Sequence, residues 1–460
     1  MTARRTRPLC STALVAALAG ALGLVGGAGP ARAHGTIPTS NSISFGPGPS
    51  GVLLGTNFGG ILALDGELRF MCERGVTGEQ TSVDVWQWLA GGPIAGIVTT
   101  GGFIRGVYLS EPGGCGFVVV PDTDQLLMTD LAPDPKAASG FYAVGASTGS
   151  GAEARLLRGT ASGASVLASA AGATATSVRA AGDDVYTVFL ASDAMTIVHR
   201  SGTSEDRWVV AREGTTTLRP LGVDPAAPTT AWFVQSSETQ DVLLRTEDGG
   251  EHLTPVLTVE ARLGGFAIDG QKVWVQSARQ GIQASSDGGK TFAPVGGSPH
   301  GTCLAVATDK ALYACGVPWQ DGMALGVSRA GAAFEAVVPY YDGIVGALSC
   351  ASHPDVTTLC DDELDFLRGY YGFSSPDTSD DASEAAAEVV EPSPEPAAEA
   401  GAEVADGGDT AVVEVAPKKD DGCGAARDPG LALGALVGLG LGLAFARRAA
   451  RRGRGISRAA

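Results

Sequence analysis

Aromatic residues make up only 6% of this 460-residue chain, and several chemical signatures are missing outright. No two cysteines stand in a C-x-x-C spacing, no H-E-x-x-H pattern occurs, and the five histidines (His34, His199, His252, His300 and His353) are scattered. No metal site is expected from such spacing. No Gly-rich loop ending in Lys-Ser/Thr is present, which removes one common way of cradling phosphate, and no cofactor is expected. Positive charge is short as well: 32 Lys and Arg against 50 Asp and Glu leave a net charge of -18. Nucleic acid is therefore not an expected partner.

The two ends carry what reads as address information. Residues 1–33 place Arg4, Arg5 and Arg7 before an apolar stretch from Ala13 to Val25 and close on Ala31-Arg32-Ala33. This is the pattern of a signal peptide and predicts export, with His34 as the first mature residue. At the other end, Pro429 to Ala446 is 18 residues of mostly apolar, Gly-rich chain followed by Arg447, Arg448, Arg451, Arg452 and Arg454. That length approaches the roughly 20 residues of a transmembrane helix, and the arginines suit a cytoplasmic end.

Between the body and the tail, residues 374–421 carry fourteen acidic side chains against Lys418 and Lys419, a net -12 with no aromatic residue. Such a segment cannot bury enough apolar surface to offset its ordering entropy and is expected to be a disordered, extended spacer. The division is thus 1–33 leader, 34–373 folded body, 374–421 acidic linker and 422–460 sorting or transmembrane segment.

The body repeats. "SSDGGKTF" at 285–292 has a near copy in "TEDGGEHL" at 246–253. Around the first, four short runs rich in Val, Ile, Phe and Trp are separated by Gly-containing turns, the pattern of a four-stranded antiparallel meander. Ser285, Asp287, Gly289, Thr291 and Phe292 define the motif, and Thr246, Asp248, Gly250 and Leu253 reproduce most of it. Ser110, Gly114 and Phe117 keep part of it with Pro112 in the Asp place, Ser201 and Trp208 less, and Asp65 and Phe70 belong to a copy starting at Ala63. Starts at 63, 110, about 156, 201, 246, 285 and 328 give steps within the roughly 40–50 residues of a propeller blade.

A second ruler agrees, because Tyr142, Tyr186, Trp232, Trp274 and Tyr313 recur on the second run of consecutive units. The expected fold is an all-β, seven-bladed propeller of four-stranded antiparallel blades. The runs after the seventh turn, "VGALSC", "TTLCDD" and "LDFLRGYYGF", are expected to close the ring by pairing near "SISFG" or to add an eighth blade.

The Ser-x-Asp-x-Gly-x-Thr-Phe turn resembles the Asp-box, or BNR repeat, of sialidases, sortilin-type receptors and photosystem assembly factors. That resemblance implies a structural rather than catalytic role for Asp248 and Asp287. The tail, "DGCGAARDPG" with its apolar run and arginines, resembles the C-terminal sorting domain of myxobacterial surface proteins (MYXO-CTERM). It implies cleavage near Cys423 by a sorting protease with lipid attachment there, leaving the body at the cell surface or outer membrane.

Six cysteines remain in the body, Cys72, Cys115, Cys303, Cys315, Cys350 and Cys360, and in an exported chain they favour disulfides. Of 15 possible connectivities, neighbouring-strand geometry suggests Cys303 with Cys315 and Cys350 with Cys360, leaving Cys72 with Cys115.

Signs of chemistry are thin. "GASTG" at 145–149 matches a nucleophile motif around Ser147, but that motif needs a strand-to-helix elbow and this one falls on a turn between strands. Tyr340, Tyr341 and Asp342 form a cluster suggestive of glycosidase chemistry, equally readable as an interfacial aromatic turn. Asp122 with Asp124, and the run Asp361-Asp362-Glu363, lack the spacing of a calcium loop and read as solvated turns. The expected function is non-catalytic: a surface-displayed propeller binding an extracellular protein, glycan or envelope component. The alternatives are a secreted sialidase-like glycoside hydrolase or a structural envelope protein.

Overall fold

The computed structural model describes residues 39–371 apart from 49–50, 78–81, 101–102, 149–150 and 261. The leader, the acidic linker and the tail with Cys423 lie outside the described residues. Seven sheets succeed one another along the chain, at 40–72, 82–119, 126–171, 174–211, 217–259, 263–294 and 304–338. Each is a meander of four antiparallel strands in sequential order. These are blades 1 to 7 of an all-β propeller, and no eighth blade exists among the described residues.

The strands differ by depth. The second strand of blade 4, Asp184–Leu190, is buried at its five central positions, because neighbouring blades cover both of its faces. The fourth, Ser204–Ala211, has no fully buried residue. Tyr142, Tyr186, Trp232, Trp274 and Tyr313 all fall on second strands. Ser201, Thr246, Ser285 and Ser328 end third strands. Blade 3 differs: Leu156 sits inside the third strand, Glu153–Thr160, and the hairpin comes after it at 161–162.

The seam between blades 7 and 1 differs from the expected closure. Residues Ile344–Ala347 do not reach the strand near "SISFG"; they run parallel to the outer strand of blade 1, pairing Ile344 with Leu68 and Ala347 with Phe70. The chain then forms a helix, Pro354–Tyr371, where strands were expected. Proline suits the first helical position, and Cys360, Leu364 and Leu367, all buried, recur at spacings of four and three, so one face packs inward. The acidic run Asp361-Asp362-Glu363 lies on this helix rather than in a turn. The Asp361 carboxylate accepts the Ala347 N–H at 2.7 Å.

This strap of strand and helix also corrects two disulfide pairings. Cys303 joins Cys315 across the first two strands of blade 7, as neighbouring-strand geometry suggests. Cys360, carried inward by the helix, bonds instead to Cys72 at the end of blade 1, with Cα atoms 5.1 Å apart, and Cys350 bonds to Cys115 of blade 2 at 5.7 Å. The strand-pair rule failed for Cys350 because it lies in the loop before the helix. Around the strap, Phe70, Leu325, Val338, Tyr341, Ile344, Leu364 and Leu367 form one core spanning blade 1, blade 7 and the helix.

Glu73, beside the Cys72 bridge, is 1% exposed. Burial pushes its carboxyl up to about 8, with Glu363 and Asp84 adding to the rise and the Val83 N–H bond opposing it.

Two outcomes are expected at the seam. With Cys115–Cys350 intact, Cys72–Cys360 closes an effective loop of 53 residues, the difference between separations of 288 and 235. Replacing both Cys72 and Cys360 by Ser should therefore cost about 4 kcal/mol in urea unfolding, against about 3 kcal/mol for Cys303 and Cys315. Because Glu73 is raised in the folded state, its contribution is fully present below about 4.5 and is lost as pH climbs to about 8. Glu73→Gln should remove a decline of about 2–5 kcal/mol over that window, measured by chemical denaturation at several pH values; an unchanged slope would rule Glu73 out as its source.

Candidate functional site

Because strands alternate in direction, the turns between first and second and between third and fourth strands lie at one end of the ring. The connections between second and third strands, and those from blade to blade, lie at the other, called here the upper face. On the axis, a cavity of about 250 Å³ is walled by first strands of all seven blades, among them Ile43, Val85, Leu131, Arg179, Leu221, Phe266 and Leu304.

Asp84, Asp130 and Arg179 give this cavity its charge. Arg179 Nη1 donates to Asp130 Oδ2 at 2.5 Å and to the Val178 carbonyl at 2.6 Å, while its Nε donates to the Leu221 carbonyl of blade 5 at 3.2 Å. Asp130 also accepts the N–H groups of Leu131 and Val178, at 2.9 and 3.1 Å. One blade further on, Arg219 donates to the Leu263 carbonyl of blade 6. Burial holds the Arg219 guanidinium below its ordinary value, with the charge of Arg179 adding to the effect. Ser177 to Pro220, Thr129 to Ala175 and Ser40 to Ala324 repeat the plan, each hydroxyl bonding a neighbouring blade's carbonyl at 3.0–3.2 Å. The axial polar groups are thus largely engaged in holding blades together. Sequence reading missed them; the only signal was that Asp130 and Arg179 stand about one blade length apart.

The repeated turn lies on the lower face. Ser285 Oγ accepts the N–H groups of Asp287 and Gly289 at 3.2 and 2.9 Å and donates to Asp287 Oδ1 at 2.7 Å. Asp287 accepts the Thr291 hydroxyl at 2.6 Å and the N–H groups of Lys290 and Thr291 at 3.0 Å. The Thr291 and Ser285 hydroxyls, together with those amides, hold its carboxyl far below the usual range. Phe292 packs into the same cluster as Trp232. In blade 5, Thr246 and Asp248 make the same bonds, and His252 takes the far side of the carboxylate at 2.7 Å. Burial alone would raise Asp248; bonds from the His252 amide, the Thr246 hydroxyl and the His252 ring outweigh it and lower it strongly. Asp248, Glu251 and His252 come close enough to share an ion, but the Asp248 oxygens are already used inside the turn.

The other copies diverge. Ser110 accepts the Ile94 N–H at 2.8 Å and donates to the Glu111 carbonyl at 2.6 Å. Gly114, at φ 93°, abuts Ile94 and Leu348. Asp65 and Gly66 both have positive φ, 50° and 88°, and form a two-residue hairpin rather than the longer loop.

The turn glycines also reach between blades. At Gly289, φ is 76° and a Cβ would stand 2.5 Å from Trp232 Nε1 of blade 5; at Gly250 it would meet Ile197 and Trp208 of blade 4. Arg245 of blade 5 donates to the Gly288 carbonyl at 3.0 Å.

The remaining marked residues are spread over strand ends, loops and the blade 7 seam. Ser147 ends a strand and accepts the Glu153 N–H at 2.9 Å, on no strand-to-helix elbow. Tyr341 is 2% exposed, its hydroxyl 3.1 Å from Thr56 Oγ1, and Tyr340 packs edge-on against it. Asp342 lies in the same short turn, Tyr341–Gly343. Asp122, at φ 68°, sits in a loop. His199 is buried against Asp184 and stacked on Tyr186, and His353 lies 3.9 Å from Glu111. No helix of the described residues is long and apolar enough to cross a membrane.

No protein family and no curated protein matches the sequence. Among solved structures, a puromycin-hydrolyzing peptidase of Mycobacterium tuberculosis is similar at 11% identity and a TM-score of 0.48, over 68% of this chain and 55% of that one; the chain spans about half the peptidase's length. YCF48 bound to D1 peptide is similar at 13% identity and 0.40, over 56% and 81%. BamB of Moraxella catarrhalis is similar at 14% and 0.38, over 60% and 82%.

Replacing Gly289 by Ala should cost about 1–3 kcal/mol in thermal or urea unfolding, from a strained φ and the clash with Trp232. Ser286→Ala, at the exposed neighbour, should leave stability unchanged.

Proposed function

We propose that this chain is an exported, non-catalytic propeller displayed at the cell surface, which binds an extracellular protein, glycan or envelope component through loops of its upper face. The observation that carries this reading is the use of axial charge: Arg179 is spent on Asp130 and on backbone carbonyls of its own and the next blade. A guanidinium so engaged is poorly placed to grip a substrate carboxylate, which the alternative of a sialidase-like hydrolase requires. The likeness of the 285–292 turn to an Asp-box supports a scaffold role for Ser285 and Asp287. Display rests on the leader, the acidic spacer and the sorting-like tail with Cys423, whether that tail is lipidated or stays as a membrane helix. A purely structural envelope role, with no discrete ligand, is the further alternative.

Protease treatment of intact cells should release the propeller if it is displayed, and protection would overturn the placement. Purified protein should retain an envelope fraction without turning over fluorogenic glycosides. Turnover that disappears in Asp130→Asn would make the chain an enzyme acting at its axis.

A further inference from the structure

On the upper face of blade 7, the strand 2–3 connection carries a four-residue helical turn, Pro318–Asp321, with Trp319 pointing outward at 59% exposure. At that exposure most of the ring stands in solvent. The loop beneath it is nevertheless built to stay still. The Asp321 carboxylate, 7% exposed, accepts the Val317 N–H at 2.7 Å, the His300 N–H at 2.9 Å and His300 Nδ1 at 2.8 Å. Gly322, at φ 71°, caps the turn by donating to the Pro318 carbonyl. Gly316 donates to the Ala324 carbonyl at 3.0 Å across the loop base. Cys315, next to that base, is bridged to Cys303, the residue just before the first strand, which lines the axial cavity.

The surroundings of the indole are polar. His300 holds the Asp321 carboxylate through Nδ1 at 2.8 Å and is 30% exposed in its side chain. Gln320 is exposed beside it. The neighbouring upper loop of blade 6 carries exposed Arg279 and Gln280. That loop is moored by Gln276, whose amide donates to the carbonyls of Pro299 and Cys315, at 2.9 and 2.8 Å. An indole held out on a braced loop with polar side chains on its own and the neighbouring loop, and with no other exposed large apolar side chain on blade 7 among the described residues, suits a ligand that is apolar on one face and hydroxylated at its edge.

We propose that Trp319, with His300 and Gln320, forms a saccharide-stacking site for a neutral sugar ring. The negative face of the indole attracts the ring's C–H groups, while His300 and Gln320 bond its hydroxyls. A body carrying net negative charge disfavours anionic ligands, and a single indole on polar ground offers no apolar groove for a peptide. The proposal rests on the reading that the upper face binds an external partner, and it names the chemistry of that partner.

The test titrates the full chain with maltohexaose, cellohexaose and chitohexaose, following tryptophan emission and its quenching by acrylamide. Trp86, Trp88 and Trp232 are buried and Trp208 and Trp274 half-buried, so Trp319, at 59% exposure, is the tryptophan most open to quencher, and the Trp319→Ala difference isolates its signal. One of the three sugars is expected to protect that signal. Trp319→Ala should weaken binding by about tenfold or more, Trp319→Tyr should retain most of it, and His300→Ala should weaken it with unchanged near-UV circular dichroism. Silence from all three sugars at millimolar concentration, affinity unaltered in Trp319→Ala, or protection by oligoproline instead would overturn the saccharide site. Envelope binding that persists while the sugars are silent would remove this site and leave the broader reading standing.

Discussion

A ring of four-stranded sheets has two loose ends, and everything inside it depends on how they are joined. Among the described residues, blades 1 and 7 each take all four of their strands from consecutive chain. The segment after blade 7 instead crosses back over blade 1 as a parallel strand and a helix, and two covalent bridges, Cys72–Cys360 and Cys115–Cys350, hold it there. The strap covers the outer edge of blade 1, which would otherwise expose unpaired backbone groups. It also completes the core that includes Leu325 of blade 7 and Phe70 of blade 1. Closure by disulfide would suit the exported location proposed above. It also puts the buried Glu73 carboxyl next to the Cys72–Cys360 bridge.

Within the ring, the same contacts recur with small changes. Each blade is narrow and cannot bury its own faces, so its stability lies at the joints with its neighbours. Near the axis the joints are polar: Thr129, Ser177, Arg179 and Arg219 each reach a carbonyl of the next blade. Toward the lower face, in blades 5 and 6, they are apolar, with turn glycines set against aromatic side chains of the preceding blade. The repeated turn is therefore both a hairpin and a docking element. Its aspartates are consumed by amides and hydroxyls of the loop, which explains acidic carboxyls at exposed positions without invoking chemistry.

The lower turns and the axis being occupied in this way, the upper connections have most freedom to vary. They differ in length and composition from blade to blade, and that of blade 7 has gained a helical turn, a bridge at its base and an outward indole. Rigid support under that indole is what a stacking site requires, since a ring held still loses little freedom on binding.

Strand number, blade spacing and the turn motif were legible because each arises from short-range chemistry repeated in register. Positive φ at Gly289 and the Ser285–Asp287 bond need only a few residues to specify them, and the aromatic of each second strand marks the same depth every time. The helix at 354–371 was legible in principle from the four-and-three spacing of Cys360, Leu364 and Leu367, but the expectation of another strand concealed it. The partners of Cys72 and Cys115, the pairing of Asp130 with Arg179 and the three donors on Asp321 were not legible. Sequence by itself determined a seven-unit, all-β body, because every unit solves the same local problem. Only the tertiary structure decided how the ring closes, where its charges are spent and which side chain is left facing outward, because those contacts join residues up to 288 positions apart, and nothing in local spacing records which distant surfaces meet.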